Sequence, residues 1–430
     1  AGARRATGRD VTQLPTAEPS AGGVRAAARE FGSPLYLYDE ATLRARARAV
    51  AGFGGPFGFT PRFALKANPC KAVLQLFAAE GLHFDASSVH EAARAVRAGI
   101  APSRVQLTAQ ILGAGFDDLA RSGVRLTACS LRQVERIGAA LPGTEIGLRI
   151  NPGEGSGHNK RTNVAGPNAS FGVWHEQIPE ACAIAARHGL RMRWMHHHVG
   201  SGGDPQRWAE IARITLGLLD RFPEVVRVNL GGGFKVARLP GEKESDLGVA
   251  AHEAHELLRE VARASGRELH LEIEPGTWLT ATTGAIVGTV YDVVSTGDCG
   301  HTFVKTDVGM AEILRPALYG AQHPLCFVPA DASRAAAPAE PLLVVGPCCE
   351  SGDILTPAPG DPEGLLHRSL PRPEAGDLVV VGGAGAYCAS LPARNYNSFP
   401  GAPEVLREQG GALRLVRRRQ TLDDVLRDEI

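Results

Sequence analysis

The stretch Phe63-Ala64-Leu65-Lys66-Ala67-Asn68-Pro69 carries a single lysine at the end of an apolar run, and Asn-Pro then stops the run and turns the chain. A strand interior excludes a lone lysine unless it is paired, snorkels to solvent or has a task. Where a buried strand ends, the amine is expected to be desolvated, which lowers its pKa toward the neutral, nucleophilic form. Such an amine adds to carbonyl carbon. A snorkelling strand-end lysine accounts for these seven residues as well, so the surrounding chain has to decide.

Working outward, one pattern repeats. Short β-rich runs fall at 62–67, 83–88, 104–109, 124–129, 145–150, 192–199, 225–230 and 268–274, with helical Ala/Leu/Arg patterns between them, as at 71–80, 89–98, 130–140 and 205–221. Eight strands alternating with helices predict a parallel sheet closed into a (β/α)8 barrel of the TIM type. An open doubly wound sheet is the competing arrangement, and the placement of polar residues favours the barrel. Its chemistry would sit at the C-terminal ends of the strands. Those ends carry Lys66, Asp85 with Ser87, Arg149-Ile150-Asn151-Pro152, His196-His197-His198-Val199-Gly200-Ser201, Gly231-Gly232-Gly233 and Glu274-Pro275-Gly276. Six polar or glycine-rich ends on one rim exceed what packing needs, and they read as a site.

Composition bounds the rest. At 430 residues the chain is too long for one ordinary core, so two domains are expected. Lys+Arg and Asp+Glu both number 46, which argues against nucleic acid or an anionic membrane as partner. No apolar run approaches the length of a membrane span and no signal-peptide core opens the sequence, so a soluble cytoplasmic protein is expected. Residues 1–20 read as a poorly ordered terminus. The eight cysteines show no C-x-x-C pair and no metal spacing with histidine; most read as small buried residues, the adjacent Cys348-Cys349 excepted. After residue 285 strands and turns replace the repeat, at 286–294, 301–307, 342–346 and 377–381, with 328–341 as a surface loop. The expected organisation is a tail and joining strand (1–40), the barrel (41–285) and a mostly antiparallel C-terminal β domain (286–430). That domain carries Arg315-Pro316-Ala317-Leu318-Tyr319, the turn Gly346 to Asp353, and Gly385-Ala386-Tyr387.

Three consecutive histidines invite a metal, but strand alternation puts His196 and His198 on one face and His197 on the other, and a third ligand with suitable geometry is not offered. No metal is expected. A flat imidazole laid on an aromatic ring uses His198 as well. Gly231–Gly233 is by itself a weak signal; at the seventh and eighth strands of a barrel, however, backbone N–H groups commonly hold phosphate where only glycine allows close approach. A phosphate-bearing cofactor beside a reactive lysine points to pyridoxal phosphate.

With these residues in place the sequence resembles the fold-type III pyridoxal-phosphate decarboxylases, with their alanine-racemase-like barrel, and within them most closely the bacterial meso-diaminopimelate decarboxylases of lysine biosynthesis. The resemblance runs from about residue 30 to the end and includes Gly157-His158-Asn159-Lys160-Arg161-Thr162-Asn163 and Arg417-Arg418-Arg419-Gln420-Thr421. It implies that Lys66 carries the cofactor covalently, that His198 stacks on its ring and that Glu274 pairs with the ring nitrogen. It also implies that Ser201, Gly232, Gly233, Gly276 and Tyr387 hold the phosphate, with Asp85, Glu91 and Arg149 in support. Arg315 and Tyr319 would meet a distal carboxylate of the amino-acid substrate and Glu350 its distal amine, with Tyr387 beside them. Cys349, the implied proton donor, and Glu350 would reach into the neighbouring subunit's site, making a homodimer with shared active sites.

The sequence departs from the family in places that matter. Glu-Pro-Gly-Arg is here Glu274-Pro275-Gly276-Thr277, Tyr-Asn-Ser-Arg-Pro is Tyr396-Asn397-Ser398-Phe399-Pro400, and a usual Ser-Lys is Ala169-Ser170. Threonine and phenylalanine cannot replace a charge-assisted arginine contact to a carboxylate. Decarboxylation is therefore better supported than any one substrate, and a different or modified amino acid in a specialised pathway stays open. A racemase would place an arginine at the ring nitrogen, where Glu274 stands; a non-catalytic homologue would not need Lys66, Cys349, Glu350 and Tyr387 together.

Overall fold

A computed structural model describes residues 19–156, 164–335 and 337–430. Its larger part is a closed barrel of eight parallel strands: Phe59–Ala64, His83–Ala86, Val105–Thr108, Arg125–Ala128, Glu145–Asn151, Arg191–His196, Arg227–Asn229 and His270–Ile273. The last strand pairs with the first, Leu271 opposite Phe59, which closes the ring. Its interior is polar. Glu272 on the last strand is fully buried and takes Arg62 Nε at 2.7 Å and Arg125 Nη1 at 2.8 Å. The two guanidinium groups hold its carboxyl well below the usual range against the cost of burial. Above Arg125, at 4.1 Å, lies the Trp194 ring, whose Nε1 donates to Thr127 Oγ1 at 2.9 Å. A Cβ on Gly147 would stand 1.8 Å from that nitrogen, so the fifth strand needs glycine there for the indole to fit.

The second part is a nine-stranded, mostly antiparallel sheet from the C-terminal third of the chain, with one recruit from the start. The strand Leu35–Asp39 runs antiparallel to Gly284–Ser295 and parallel to Glu404–Arg407. Tyr38 and Tyr36 pin it, Tyr38 donating to Glu404 Oε2 at 3.0 Å and Tyr36 to the Glu312 carbonyl at 2.8 Å. Asp39 then ends the strand by capping the helix Glu40–Ala51 through the Thr42 N–H and by accepting Arg407. One apolar cluster runs without a break from the barrel helices into this sheet, from Leu43 and Phe77 to Val304 and Leu406.

Several expectations need correction. The first strand ends at Ala64, where its pairing with Asp85 stops, and Lys66 lies past it in the 3-10 turn Leu65–Ala67. Pro69 holds Asn68 extended (φ −158°, ψ 98°), which stops that turn after Ala67. The sixth strand likewise ends at His196, leaving His198 in the loop beyond it. The helix Ala21–Phe31, capped by Ser20 and buried only at Val24 and Ala27, was not read from the sequence. The heptapeptide 157–163 and residues 1–18 lie outside the described residues.

Replacing Arg62 with methionine leaves the Glu272 charge short of a partner inside the barrel. Urea unfolding of Arg62→Met should show a loss on the order of 3–5 kcal/mol. A loss below about 1 kcal/mol would mean that Arg125 alone satisfies Glu272.

Candidate active site

At the C-terminal mouth of the barrel, against the loops of the β sheet, lies a cavity of about 850 Å³. Lys66 stands on its wall with an exposed side chain, so the desolvation expected from its position is not found. The reason is the turn, which swings the residue off the buried strand. That turn is held from the other domain. The Ala67 carbonyl accepts the Tyr387 N–H at 2.8 Å and Ser390 Oγ at 3.2 Å, and Asn68 Nδ2 donates to the Gly385 carbonyl at 3.0 Å. Tyr387 itself is held at φ 56°, a left-handed conformation that a side chain of its size rarely adopts.

Glu274 is on the same cavity, two residues beyond Glu272, with its side chain buried. Asn229 Nδ2 donates to its Oε1 at 2.6 Å, and its Oε2 faces His196 Nε2 at 3.1 Å. Burial pushes its carboxyl up to about 7, against the pull of Arg62 and Arg149. Asp85, which accepts Thr108 Oγ1 at 2.6 Å, goes up to about 8 through burial and the proximity of Glu274. His196 is pushed down to about 3 by burial and by Arg149. Burial and the nearby Lys66 hold the His198 imidazole well below its ordinary value, so it is neutral, and its Nδ1 accepts the Gly232 N–H at 3.1 Å.

The wall beside these groups is bare backbone. A Cβ at Gly232 would come 2.5 Å from the Glu274 carbonyl, and one at Gly233 (φ 114°) 2.7 Å from the Gly200 carbonyl. At Gly276 it would meet Ala67, Tyr387 Oη and Ala64 at 3.1–3.3 Å. Ser201 and Tyr387 line the cavity beside them, and Arg315 and Tyr319, on the short helix Arg315–Tyr319, line it farther out. A glycine cradle with flanking hydroxyls, an amine and a buried carboxylate that can share a proton form a donor set fit for pyridoxal phosphate.

Not every expected residue is here. Glu91, accepting the Ser87 N–H at 2.7 Å, is on the cavity; Arg149 is not, and stacks over Phe171 at 5.1 Å. Cys349 and Glu350 are exposed on a separate turn, away from their own chain's cavity. That turn is fixed: Asn397 Oδ1 accepts the Cys349 N–H at 2.9 Å, and Asp353 accepts the N–H groups of Cys348 and Met310. Among residues not foreseen, Asn229 closes the seventh strand and was visible as a polar strand end. Arg238, in the irregular loop after the glycines, also lines the cavity, and no periodicity marks it.

The family model for "Pyridoxal-dependent decarboxylase, pyridoxal binding domain" matches residues 41–281. A diaminopimelate decarboxylase of Streptomyces coelicolor is 36% identical over 412 residues, covering 94% of this chain and 91% of that protein. A crystal structure of a diaminopimelate decarboxylase superposes with a TM-score of 0.88 at 32% identity, covering 95% of this chain and 96% of that one. That of the Helicobacter pylori enzyme complexed with L-lysine has a TM-score of 0.82 at 26% identity, covering 94% and 98%.

The raised carboxyls make the cofactor-free protein sensitive to pH. Asp85 and Glu274 keep their protons in the folded state at pH values where the unfolded chain has lost them, so stability falls as pH rises between about 4 and 8. A shift from 4.5 to about 7 corresponds to roughly 3 kcal/mol. Thermal unfolding of the cofactor-free protein should therefore give a lower midpoint at pH 8 than at pH 5.5, with a clearly shallower slope in Glu274→Gln. An unchanged slope would place the titration elsewhere.

Proposed function

We propose that this chain, which belongs to the pyridoxal-dependent decarboxylases, removes one carboxylate from meso-diaminopimelate to give L-lysine, with the cofactor bound at Lys66. The observation that carries the proposal is that Lys66, the Gly232–Gly233–Gly276 cradle and Glu274 open on one cavity with Arg315 and Tyr319.

Pyridoxal phosphate, when bound, supplies an electron-poor ring that takes up the charge left at the α carbon when carbon dioxide leaves. Lys66 is the amine that would hold it covalently until the substrate amine takes that place. Glu274 would pair with the ring nitrogen; a carboxyl poised near 7 and a pyridinium beside it would each favour the charge of the other, which would keep the nitrogen protonated. His198 is neutral and flat and would cover one face of the ring without adding charge. Gly233 and Gly276 through their N–H groups and Ser201 and Tyr387 through their hydroxyls would hold the phosphate, which could come close only because Gly232, Gly233 and Gly276 carry no Cβ; the Gly232 N–H is taken by His198 Nδ1. Arg315 and Tyr319 hold the substrate's far carboxylate.

The proton returned to the α carbon comes from Cys349 of the partner subunit, with Glu350 beside it on the substrate's far amine. What supports this is that both residues sit on a rigid exposed turn away from their own cavity. The reading makes the protein a homodimer whose sites are shared. All eight cysteines are free, and no described helix is long and apolar enough to cross a membrane; both suit a cytoplasmic enzyme.

Borohydride reduction followed by peptide mapping should place the pyridoxyl label on Lys66, and a label on Lys71 or Lys235 would overturn the assignment. Carbon dioxide and L-lysine should appear in equal amounts from meso-diaminopimelate, with kcat/KM of about 10⁴ M⁻¹s⁻¹ or better. A rate far below this, with faster release from another amino acid, would move the substrate.

Mixing inactive Lys66→Ala with inactive Cys349→Ala chains should restore roughly a quarter of wild-type activity through hybrid dimers. No recovery in verified heterodimers would argue for sites built within one chain.

A further inference from the structure

Two arginines, Arg238 and Arg315, line the cavity, and among the described residues neither forms an ion pair. Arg315 Nε donates to His323 Nε2 at 3.4 Å, and His323 Nδ1 donates in turn to the Gly382 carbonyl at 2.9 Å. Arg238 Nε donates to the next carbonyl, Gly383, at 3.2 Å. The two guanidinium groups are thus tethered to one wall, through neighbouring residues of one loop. Arg238 Nη2 is buried and has no hydrogen-bond partner among the described residues. The acid that bears on Arg238 is Glu242, but its carboxylate accepts the backbone N–H groups of Arg238 and Leu239 and faces Lys235 at 3.7 Å. Burial and the adjacent Arg315 pull the Arg238 guanidinium down to about 9, as expected of a cation waiting for an anion. Thr277, where the family carries arginine, lines the same cavity.

A buried guanidinium with a free donor beside a second cation is costly unless an oxyanion completes it. The phosphate already has the glycine cradle with Ser201 and Tyr387, whereas the far carboxylate of the substrate has one arginine and one phenol. We propose that Arg238 is a specificity-determining residue that pairs with Arg315 on the substrate's distal carboxylate, supplying from the loop after the seventh strand the cation that Thr277 lacks. The inference rests on the substrate reading above. It recasts the departure at Thr277: the positive charge has been moved to another element rather than lost.

Binding and turnover separate the two claims. Dissociation constants for meso-diaminopimelate and for D-lysine, which keeps the reacting D-configured end but lacks the distal carboxylate, are read on the holoenzyme from the cofactor's absorbance without relying on turnover. Wild type should favour meso-diaminopimelate. In Arg238→Met that preference should fall roughly ten- to a hundred-fold, the loss of a charge-assisted contact, while D-lysine binding changes less than about twofold. Affinity for pyridoxal phosphate, measured by titrating the cofactor-free protein, should also stay within about twofold. Adding Thr277→Arg to Arg238→Met should restore most of the preference, which a merely structural role for Arg238 would not do.

An unchanged preference in Arg238→Met overturns the proposal, as does no preference in wild type. A parallel loss of pyridoxal-phosphate affinity overturns it in favour of the cofactor phosphate as the anion. If Arg238→Met does not fold, Arg238→Leu and Arg238→Gln read the same ratio. Wild type that binds meso-diaminopimelate selectively but does not decarboxylate it would sink the proposed function and leave this inference standing.

Discussion

Two glutamates two residues apart on the last barrel strand, Glu272 and Glu274, set the terms for everything around them. Alternation along a strand sends both side chains into the barrel, where water cannot answer a charge. The lower one is met by Arg62 and Arg125 and stays ionised. The upper one meets an amide and a neutral histidine, and burial prevails. The same residue type on the same strand becomes a structural anchor at one level and a proton-sharing group at the next. The floor is therefore fixed by an ion cluster that the chemistry does not use, and the carboxylate above it can be tuned without unfolding the barrel.

The position of Lys66 depends on the other domain. Its turn is too short to be held by its own hydrogen bonds, and the loop around Gly385, Tyr387 and Ser390 supplies them. Tyr387 keeps an uncommon backbone conformation while its hydroxyl lies beside Gly276. The apolar core continuous between barrel and sheet makes that strain tolerable, since the loop cannot relax without disturbing packed residues on both sides. Positioning of the Lys66 amine and of the glycine wall at Gly276 is thus a single event, tied to the docking of the two domains.

The sequence by itself determined the barrel, because eight alternations of strand and helix leave few closed topologies, and it marked Lys66, Asp85, His198, Gly232, Gly233, Glu274 and Gly276, because strand-end chemistry in such a fold is ordered along the chain. Asn229 was legible on the same ground. Its limits were physical too. Lys66 reads from the sequence as a strand residue, but the strand ends at Ala64 and the turn that follows carries the lysine out to the cavity, so the sequence overstates its burial. Arg238 carries no local signal: it lies in a loop without periodicity, and its meaning comes from an arginine 77 positions later that shares its wall. A missing arginine at Thr277 reads from the chain alone as a lost charge, because a sequence reports which element lacks a cation but not which other element brings one to the same point. Only the tertiary structure, by folding the loop after the seventh strand against the Gly382–Gly383 backbone, decided where that charge stands.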